Sequence, residues 1–123
     1  MIEQIVKEYF EAWNKALDTN NPDYIRQKMS KRFTGFWCHS ALDVPSKYDY
    51  NYDLNAVLEQ YLNMNAQKSF EIESITERTN DMLVIGTETN TVNGIEYPAK
   101  AIFVWRQENT QWKLLREYIE LIN

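Results

Sequence analysis

His39 is a residue of this sequence whose side chain could carry out acid–base chemistry near neutral pH. It is the only histidine in the chain, and imidazole titrates close to neutral pH. It follows the aromatic segment Phe36-Trp37-Cys38, which places it at the end of a predicted strand and near a possible pocket mouth. His39 is therefore the candidate general acid or base. The alternative is a strand-end or surface histidine that is hydrogen-bonded to a neighbour.

The last predicted strand carries a second polar group, Arg116 with Tyr118. Side chains two residues apart share one face of a strand. One face holds Trp112, Leu114, Arg116, Tyr118 and Glu120, and the other holds Lys113, Leu115, Glu117, Ile119 and Leu121. The first set is bulkier, so we expect it to face inward, where Arg116 and Tyr118 could bind a carboxylate or carbonyl oxygen. In the opposite orientation Arg116 would serve a dimer contact or a cross-strand ion pair.

Glu88 lies in the middle of another predicted strand, close to Gly86. If it faced inward, burial would raise the pKa of its carboxyl and make it a possible base. Because glutamate is rarely buried without a partner, an outward Glu88 is the preferred interpretation.

Helical periodicity dominates the first half of the chain. Apolar residues recur at helical spacing from Ile2 to Leu17, and Asn21-Pro22-Asp23 begins a short second helix. Asp53 caps a third helix that is predicted to run to about Asn65.

Strand signals dominate the second half. Asn93-Gly94 is a strong hairpin signal because both central positions of a type I′ turn need positive φ. The predicted extended segments are Lys31–His39, Ser69–Arg78, Met82–Val92, Ile95–Gln107 and Gln111–Ile122, with Ser40–Asn51 as a loop or frayed hairpin arm. Helices that precede strands indicate an α+β protein, with residues 1–123 as a single domain.

Aromatic residues are abundant at 14% of the chain. The residues that could line a pocket are Tyr9, Trp13, Trp37 and Tyr61, although aromatic stripes at helical spacing more often form a core. Phe103 shares a strand face with Ala99 and Ala101, and these small residues facing inward would leave room for a ligand or for the first helix.

Composition excludes several classes of function. A net charge of −5 disfavours nucleic-acid binding, and no apolar run approaches the roughly 20 residues of a membrane span. Cys38 is the only cysteine, so no internal disulfide can form and a reducing cytoplasm is expected. One cysteine and one histidine cannot supply a multi-thiolate or multi-histidine metal site, and neither a metal nor a cofactor is predicted.

The order of elements resembles the nuclear transport factor two-like superfamily, which includes ketosteroid isomerase-like and SnoaL-like proteins. The residues that carry the resemblance are Tyr9-Phe10-Glu11-Ala12-Trp13-Asn14, Asn21-Pro22-Asp23, Phe103-Val104-Trp105-Arg106 and Trp112-Lys113-Leu114-Leu115-Arg116-Glu117-Tyr118. The resemblance covers nearly the whole chain. It implies a curved antiparallel sheet wrapped as a cone around the three helices, with a pocket at the open end and dimers formed through the sheet.

The resulting hypothesis is a homodimer that binds a small organic ligand in an aromatic pocket. The expected ligand-binding residues are Tyr9, Trp13, Trp37, His39, Tyr61, Phe103, Arg116 and Tyr118. The alternative is a non-catalytic dimerisation or protein-interaction module, with Ile102 and Val104 on its working surface.

Overall fold

The computed structural model describes residues 1–122, in which three helices pack against a six-stranded sheet. The helices are α1 (Ile2–Thr19), α2 (Asp23–Arg26) and α3 (Leu54–Glu59). The strands are β1 (Met29–Cys38), β2 (Ser46–Asp49), β3 (Ala66–Glu77), β4 (Asp81–Val92), β5 (Ile95–Glu108) and β6 (Gln111–Leu121). The α+β class and the curved sheet around helices from the first half of the chain are confirmed.

The strands lie in the order β2-β1-β6-β5-β4-β3. β3 to β6 form the predicted antiparallel meander, and Asn93 and Gly94 have φ values of 51° and 82°, as the hairpin signal required. β1 and β6 pair in parallel, so the sheet is mixed rather than wholly antiparallel. A parallel pair needs a long connection, and here all the elements from β2 to β5 supply it.

α1 fills the concave face of the sheet. Its buried residues are Ile2, Val6, Tyr9, Phe10, Ala12, Trp13 and Ala16, as the helical periodicity predicts. Tyr9 meets Trp105 edge to face at 5.2 Å, and Phe10 stacks on Phe70 at 5.2 Å. The helix ends where Asn20 takes the left-handed conformation and donates its N–H to Ala16.

Asn14 fastens α1 to the edge strand β3. Its amide donates to the Lys68 carbonyl at 3.0 Å and accepts from the Lys68 N–H at 2.7 Å. An edge strand has one row of backbone groups without a strand partner. At Lys68 the Asn14 side chain provides the hydrogen bonds that a neighbouring strand would otherwise make.

α3 is shorter than the sequence predicts. Asp53 caps it by accepting the Ala56 N–H at 3.0 Å, as expected, but the helix stops at Glu59 rather than near Asn65. Tighter turns replace it from Gln60 onward, and Asn63 has a φ of 65°, which a continuing α-helix does not allow. Tyr61 therefore lies in a turn and not on a helix.

A β-bulge in β6 reverses the faces of that strand. Trp105 pairs with Leu114, whereas Val104 pairs with Arg116, which leaves Leu115 as the extra residue. Before the bulge, the even-numbered Leu114 faces the core. After it, the odd-numbered residues Glu117 and Ile119 face inward. No helix within residues 1–122 is long and apolar enough to cross a membrane.

Candidate functional site

A cavity of about 450 Å³ lies between α1, α3 and the concave face of the sheet. Its aromatic walls come from Trp13, Trp37, Tyr48, Tyr52 and Tyr61. Its polar lining consists of Gln60, Lys68, Glu88, Asn90 and Glu117. The cavity thus combines an apolar wall with a small number of polar groups, which is the usual composition of a small-molecule site.

Glu117 and Tyr48 form the polar centre of this cavity. The Tyr48 hydroxyl donates a hydrogen bond of 2.5 Å to Glu117 Oε2. Tyr48 on β2, Gly35 on β1 and Glu117 on β6 are register partners across three adjacent strands. A Cβ at Gly35 would lie only 2.3 Å from the Tyr48 ring, so the glycine leaves the space through which Tyr48 reaches Glu117.

Burial raises the pKa of Glu117 to about 7. The hydrogen bond from Tyr48 and the charge of Lys68 lower that pKa, whereas the charge of Glu88 raises it. The loss of water on burial therefore raises the pKa of Glu117 by more than Tyr48 and Lys68 lower it. A carboxyl with a pKa near 7 can give or accept a proton at neutral pH.

Glu88 is buried and lines the same cavity, at only 7% exposure. The preference for an outward Glu88 is therefore wrong, because Lys68 on the neighbouring strand supplies the partner that burial requires. Lys68 Nζ lies 3.5 Å from Glu88 Oε2 and 4.4 Å from the centre of the Trp13 ring. Lys68 thus lies between a carboxyl group and an aromatic face, both of which attract a cation.

The hydroxyl groups of Tyr48 and Tyr52 remain uncharged at neutral pH. Burial raises the pKa of Tyr52 well above its ordinary value, and the charge of Glu117 raises it further. Burial and Glu117 raise the pKa of Tyr48 in the same way. Tyr48 and Tyr52 are therefore hydrogen-bonding groups rather than acids at neutral pH.

Arg26 on α2 holds the segment between β2 and α3 against the body of the protein. Its guanidinium donates to the carbonyl of Tyr50 and, at 2.6 Å, to the carbonyl of Tyr52. It also lies over both tyrosine rings, with its Cζ at 5.6 Å and 5.9 Å from the ring centres. This clamp fixes the backbone that presents Tyr52 to the cavity.

The structure brings Trp13, Trp37 and Tyr61 together at the cavity, as the sequence predicts for pocket residues. Tyr9 and Phe103 lie in the core instead, at 2% and 0% exposure, and their rings meet edge to face at 6.1 Å. They pack in the hydrophobic core and do not line the cavity.

His39 lies beside the cavity and not in its lining. Its ring meets Trp37 edge to face at 5.3 Å, and its Nδ1 accepts the Ala41 N–H at 3.2 Å. This is the local hydrogen bonding of a strand-end histidine. Its proposed acid–base role stays a prediction.

Arg116 and Tyr118 face away from the cavity, so the inward orientation preferred from the sequence is wrong. Arg116 is half-exposed and lies 3.9 Å from Asp81, while Tyr118 donates to Glu120 at 2.8 Å. The physical reason is the bulge at Leu115, which adds one residue and moves Arg116 to the outer face.

Sequence reasoning missed the residues at the centre of the site, Glu117, Tyr48 and Lys68. One unbroken alternation along the whole last strand places Glu117 on the outer face, opposite to where the structure has it. The signal that could have found them is Gly35, because a glycine inside a predicted strand indicates a bulge or a close approach, and the Tyr48 ring makes that approach.

Two larger clefts, each about 530 Å³, lie elsewhere on the surface. One is at the turn between β3 and β4, and the other is between α1 and the start of β6. Their linings are proportionally more polar than that of the cavity around Glu117. The cavity around Glu117 is therefore the better candidate for a small organic ligand.

Solved structures resemble this protein over almost its whole length. An NTF-2-like protein of unknown function from Shewanella oneidensis MR-1 superposes with a TM-score of 0.72 at 10% identity, covering 98% of this chain and 99% of that one. A protein of unknown function with a cystatin-like fold from Nostoc punctiforme PCC 73102 gives 0.68 at 12% identity, covering 98% and 87%. An NTF2-like protein of unknown function from Pseudomonas putida KT2440 gives 0.65 at 16%, covering 97% and 82%.

No protein-family model matches the sequence, and no curated protein matches it. The likeness to solved structures at these identities concerns the fold. The element order, the mixed sheet around α1 and the superposition over nearly the whole chain show that this protein has the nuclear transport factor two-like (NTF2-like) fold.

Proposed function

We propose that this protein binds a small organic molecule in the cavity around Glu117. The observation that carries the proposal is a cavity of about 450 Å³ into which the Glu117 carboxyl, held by Tyr48, projects. That volume falls within the range typical of small-molecule sites. Trp13, Trp37 and Tyr61 would contact the apolar part of the ligand, and Glu117 would contact its polar end.

The pKa of Glu117 adds to this proposal. A carboxyl held near neutrality by burial can exchange a proton with a bound ligand. Burying such a group without full compensation opposes folding, so its presence in a cavity is better explained by a ligand than by stability.

Cavity filling tests the proposal directly. Ala99 lines the cavity at 3% exposure, so Ala99→Leu would occupy part of the ligand's space. Ala41→Leu in the exposed segment after β1 is the matched control. Native mass spectrometry against a metabolite library, with tryptophan fluorescence to confirm hits, should find a ligand for the wild type and for the control.

The Ala99→Leu variant should bind that ligand at least about tenfold more weakly, and its thermal unfolding must show that it is folded, because overpacking costs about 1–3 kcal/mol. A folded Ala99→Leu variant that binds every hit as the wild type does would overturn the proposal, and so would a library without hits.

A homodimer through the outer face of the sheet is a second proposal. Ile102 is 38% exposed there, and the rings of Phe36 and Tyr118 stack at 6.4 Å on the same face. Val104, also expected on this surface, is only 5% exposed, so it is not a useful probe.

Sedimentation of Ile102→Glu tests the dimer, with Ile95→Glu as the matched control because Ile95 is 57% exposed at the β4–β5 turn. The first variant should sediment as a monomer and the second as the wild type. Equal sedimentation of all three proteins would remove this interface.

We also propose a cytoplasmic location, since Cys38 is the only cysteine.

A further inference from the structure

We propose that the ligand of the Glu117 cavity is an organic cation, a protonated amine on a compact apolar body. This inference rests on the proposed function and names the chemical class that the site would take. It follows from the charges, hydrogen-bond acceptors and aromatic surfaces of the cavity lining, taken in turn below.

The first observation is the imbalance of charge. Two carboxyl groups, Glu88 and Glu117, and one ammonium group, Lys68, line the cavity. Lys68 is already placed between Glu88 at 3.5 Å and the Trp13 ring at 4.4 Å. The ionised form of Glu117 is therefore left without a cationic partner in hydrogen-bond contact within residues 1–122.

The second observation is a surplus of hydrogen-bond acceptors. Within the described part of the chain, Glu117 receives its side-chain hydrogen bond from Tyr48 on Oε2, and a carboxylate can accept several more. Asn90 also lines the cavity, and its Oδ1 is buried and accepts no hydrogen bond from residues 1–122. Buried acceptors of this kind are ordinarily satisfied, and an ammonium group can donate three hydrogen bonds.

The third observation is the aromatic wall. Trp37, Tyr52 and Tyr61 lie around the same space as the two carboxyl groups. Aromatic faces attract cations and also cover the apolar part of a ligand. The contact between Lys68 and Trp13 already shows one ammonium group stabilised in this manner within the cavity.

An anionic ligand fits the lining less well. A carboxylate would meet Glu88 and Glu117 as like charges, and Lys68 could bind it only by giving up its contact with Glu88. A neutral alcohol would satisfy an acceptor but would leave the charge of Glu117 uncompensated.

Three probes of similar shape test the proposal: cyclohexylmethylamine, cyclohexylmethanol and cyclohexanecarboxylate. Their affinities are measured by calorimetry or tryptophan fluorescence at pH 8, where Glu117 is ionised. The amine should bind about tenfold or more tightly than the alcohol, since a hydrogen bond between two charged groups is stronger than one to a neutral hydroxyl. The carboxylate should bind most weakly.

Glu117→Gln should remove most of the advantage of the amine and leave the alcohol nearly unchanged. Glu59→Gln, at an exposed position on α3, is the matched control and should bind all three probes as the wild type does. Lowering the pH from 8 to 6 should weaken amine binding, because Glu117 then takes up a proton that the bound amine must displace.

Other charged or titratable groups face Glu117 from the surrounding elements, and they are Tyr9, Tyr48, Tyr52, Lys68 and Glu88. Glu88→Gln separates the contribution of the second carboxyl. An amine that binds no better than the alcohol, or that is indifferent to Glu117→Gln, overturns the cation proposal while ligand binding itself stands. If none of the three probes binds and Ala99→Leu is also without effect in the library screen, both proposals fail.

Discussion

The Tyr48 hydroxyl and the Glu117 carboxyl meet at 2.5 Å although their strands are not neighbours in the sheet. The strand between them carries Gly35 at the matching register position. Two strand spacings amount to about 10 Å between backbones, a gap that a tyrosine and a glutamate can close only if no side chain stands between them. One glycine therefore decides whether the central contact of the cavity exists.

Gly35→Ala should break this contact. The new Cβ would lie 2.3 Å from the Tyr48 ring and 2.9 Å from the Phe33 ring, so the Tyr48 ring must move away from Glu117. We expect a loss of about 1–3 kcal/mol in the free energy of unfolding, measured by urea denaturation, and a higher pKa for Glu117, measured by carbon NMR. An unchanged pKa in the folded variant would show that Tyr48 does not depend on the glycine.

Tyr48→Phe should raise the pKa of Glu117 without steric conflict. The ring remains, but the hydrogen bond that lowers the pKa of this carboxyl is lost. NMR titration of the Glu117 carboxyl measures the shift. Tyr24→Phe, on α2 and outside the cavity lining, is the control and should leave the titration unchanged. A Tyr48→Phe protein with the wild-type pKa would contradict the assigned hydrogen bond.

Glu117 should make the protein less stable as the pH rises. Its pKa is about 7 in the folded protein against an ordinary value of 4.5, so between these values the folded state holds the proton that the unfolded state has lost. The contribution of this group is fully present below pH 4.5, declines from there to pH 7 and is absent above. The difference is on the order of 3 kcal/mol.

Glu117→Gln tests this linkage, because an amide of the same shape does not titrate. The free energy of unfolding of the variant, measured by urea denaturation from pH 5 to pH 8, should fall less with pH than that of the wild type. Glu59→Gln should retain the wild-type slope. Parallel curves for Glu117→Gln and the wild type would mean that Glu117 titrates normally.

Arg26→Lys should loosen the wall of the cavity while preserving the charge. Lysine cannot donate to the Tyr50 and Tyr52 carbonyls with the fixed fork of a guanidinium. We expect faster amide hydrogen exchange in residues 48–54 and weaker ligand binding. Arg32→Lys, at an exposed position on β1, should change neither quantity. Unaltered exchange in Arg26→Lys would remove Arg26 from this role.

Asn14→Ala should detach the Lys68 region of β3 from α1. Both Lys68 backbone groups lose their partner, which should cost about 1–3 kcal/mol in unfolding free energy. Asn55→Ala on the exposed side of α3 is the control, with an expected change within about 0.5 kcal/mol. Equal stability of the two variants would show that the edge contact is unimportant.

Local patterns determined much of this fold. The apolar spacing of α1, the Asp53 cap and the Asn93-Gly94 turn each involve residues close together in sequence, and the structure contains all three. The sequence also indicates Trp13, Trp37 and Tyr61 as pocket candidates, because Trp and Tyr carry a polar group on an apolar ring, and all three line the cavity.

The tertiary structure alone decided which side chains face the cavity. The bulge at Leu115 is visible only in the pairing of β6 with β5, and no pattern within the strand reveals it. It turned Glu117 inward and Arg116 outward. The partner of Glu88 was equally hidden, because Lys68 is distant in sequence and adjacent only through strand pairing. Sequence periodicity indicates which side chains share a face of a helix or strand. Burial, strand pairing and pKa depend on contacts that form only in the folded chain.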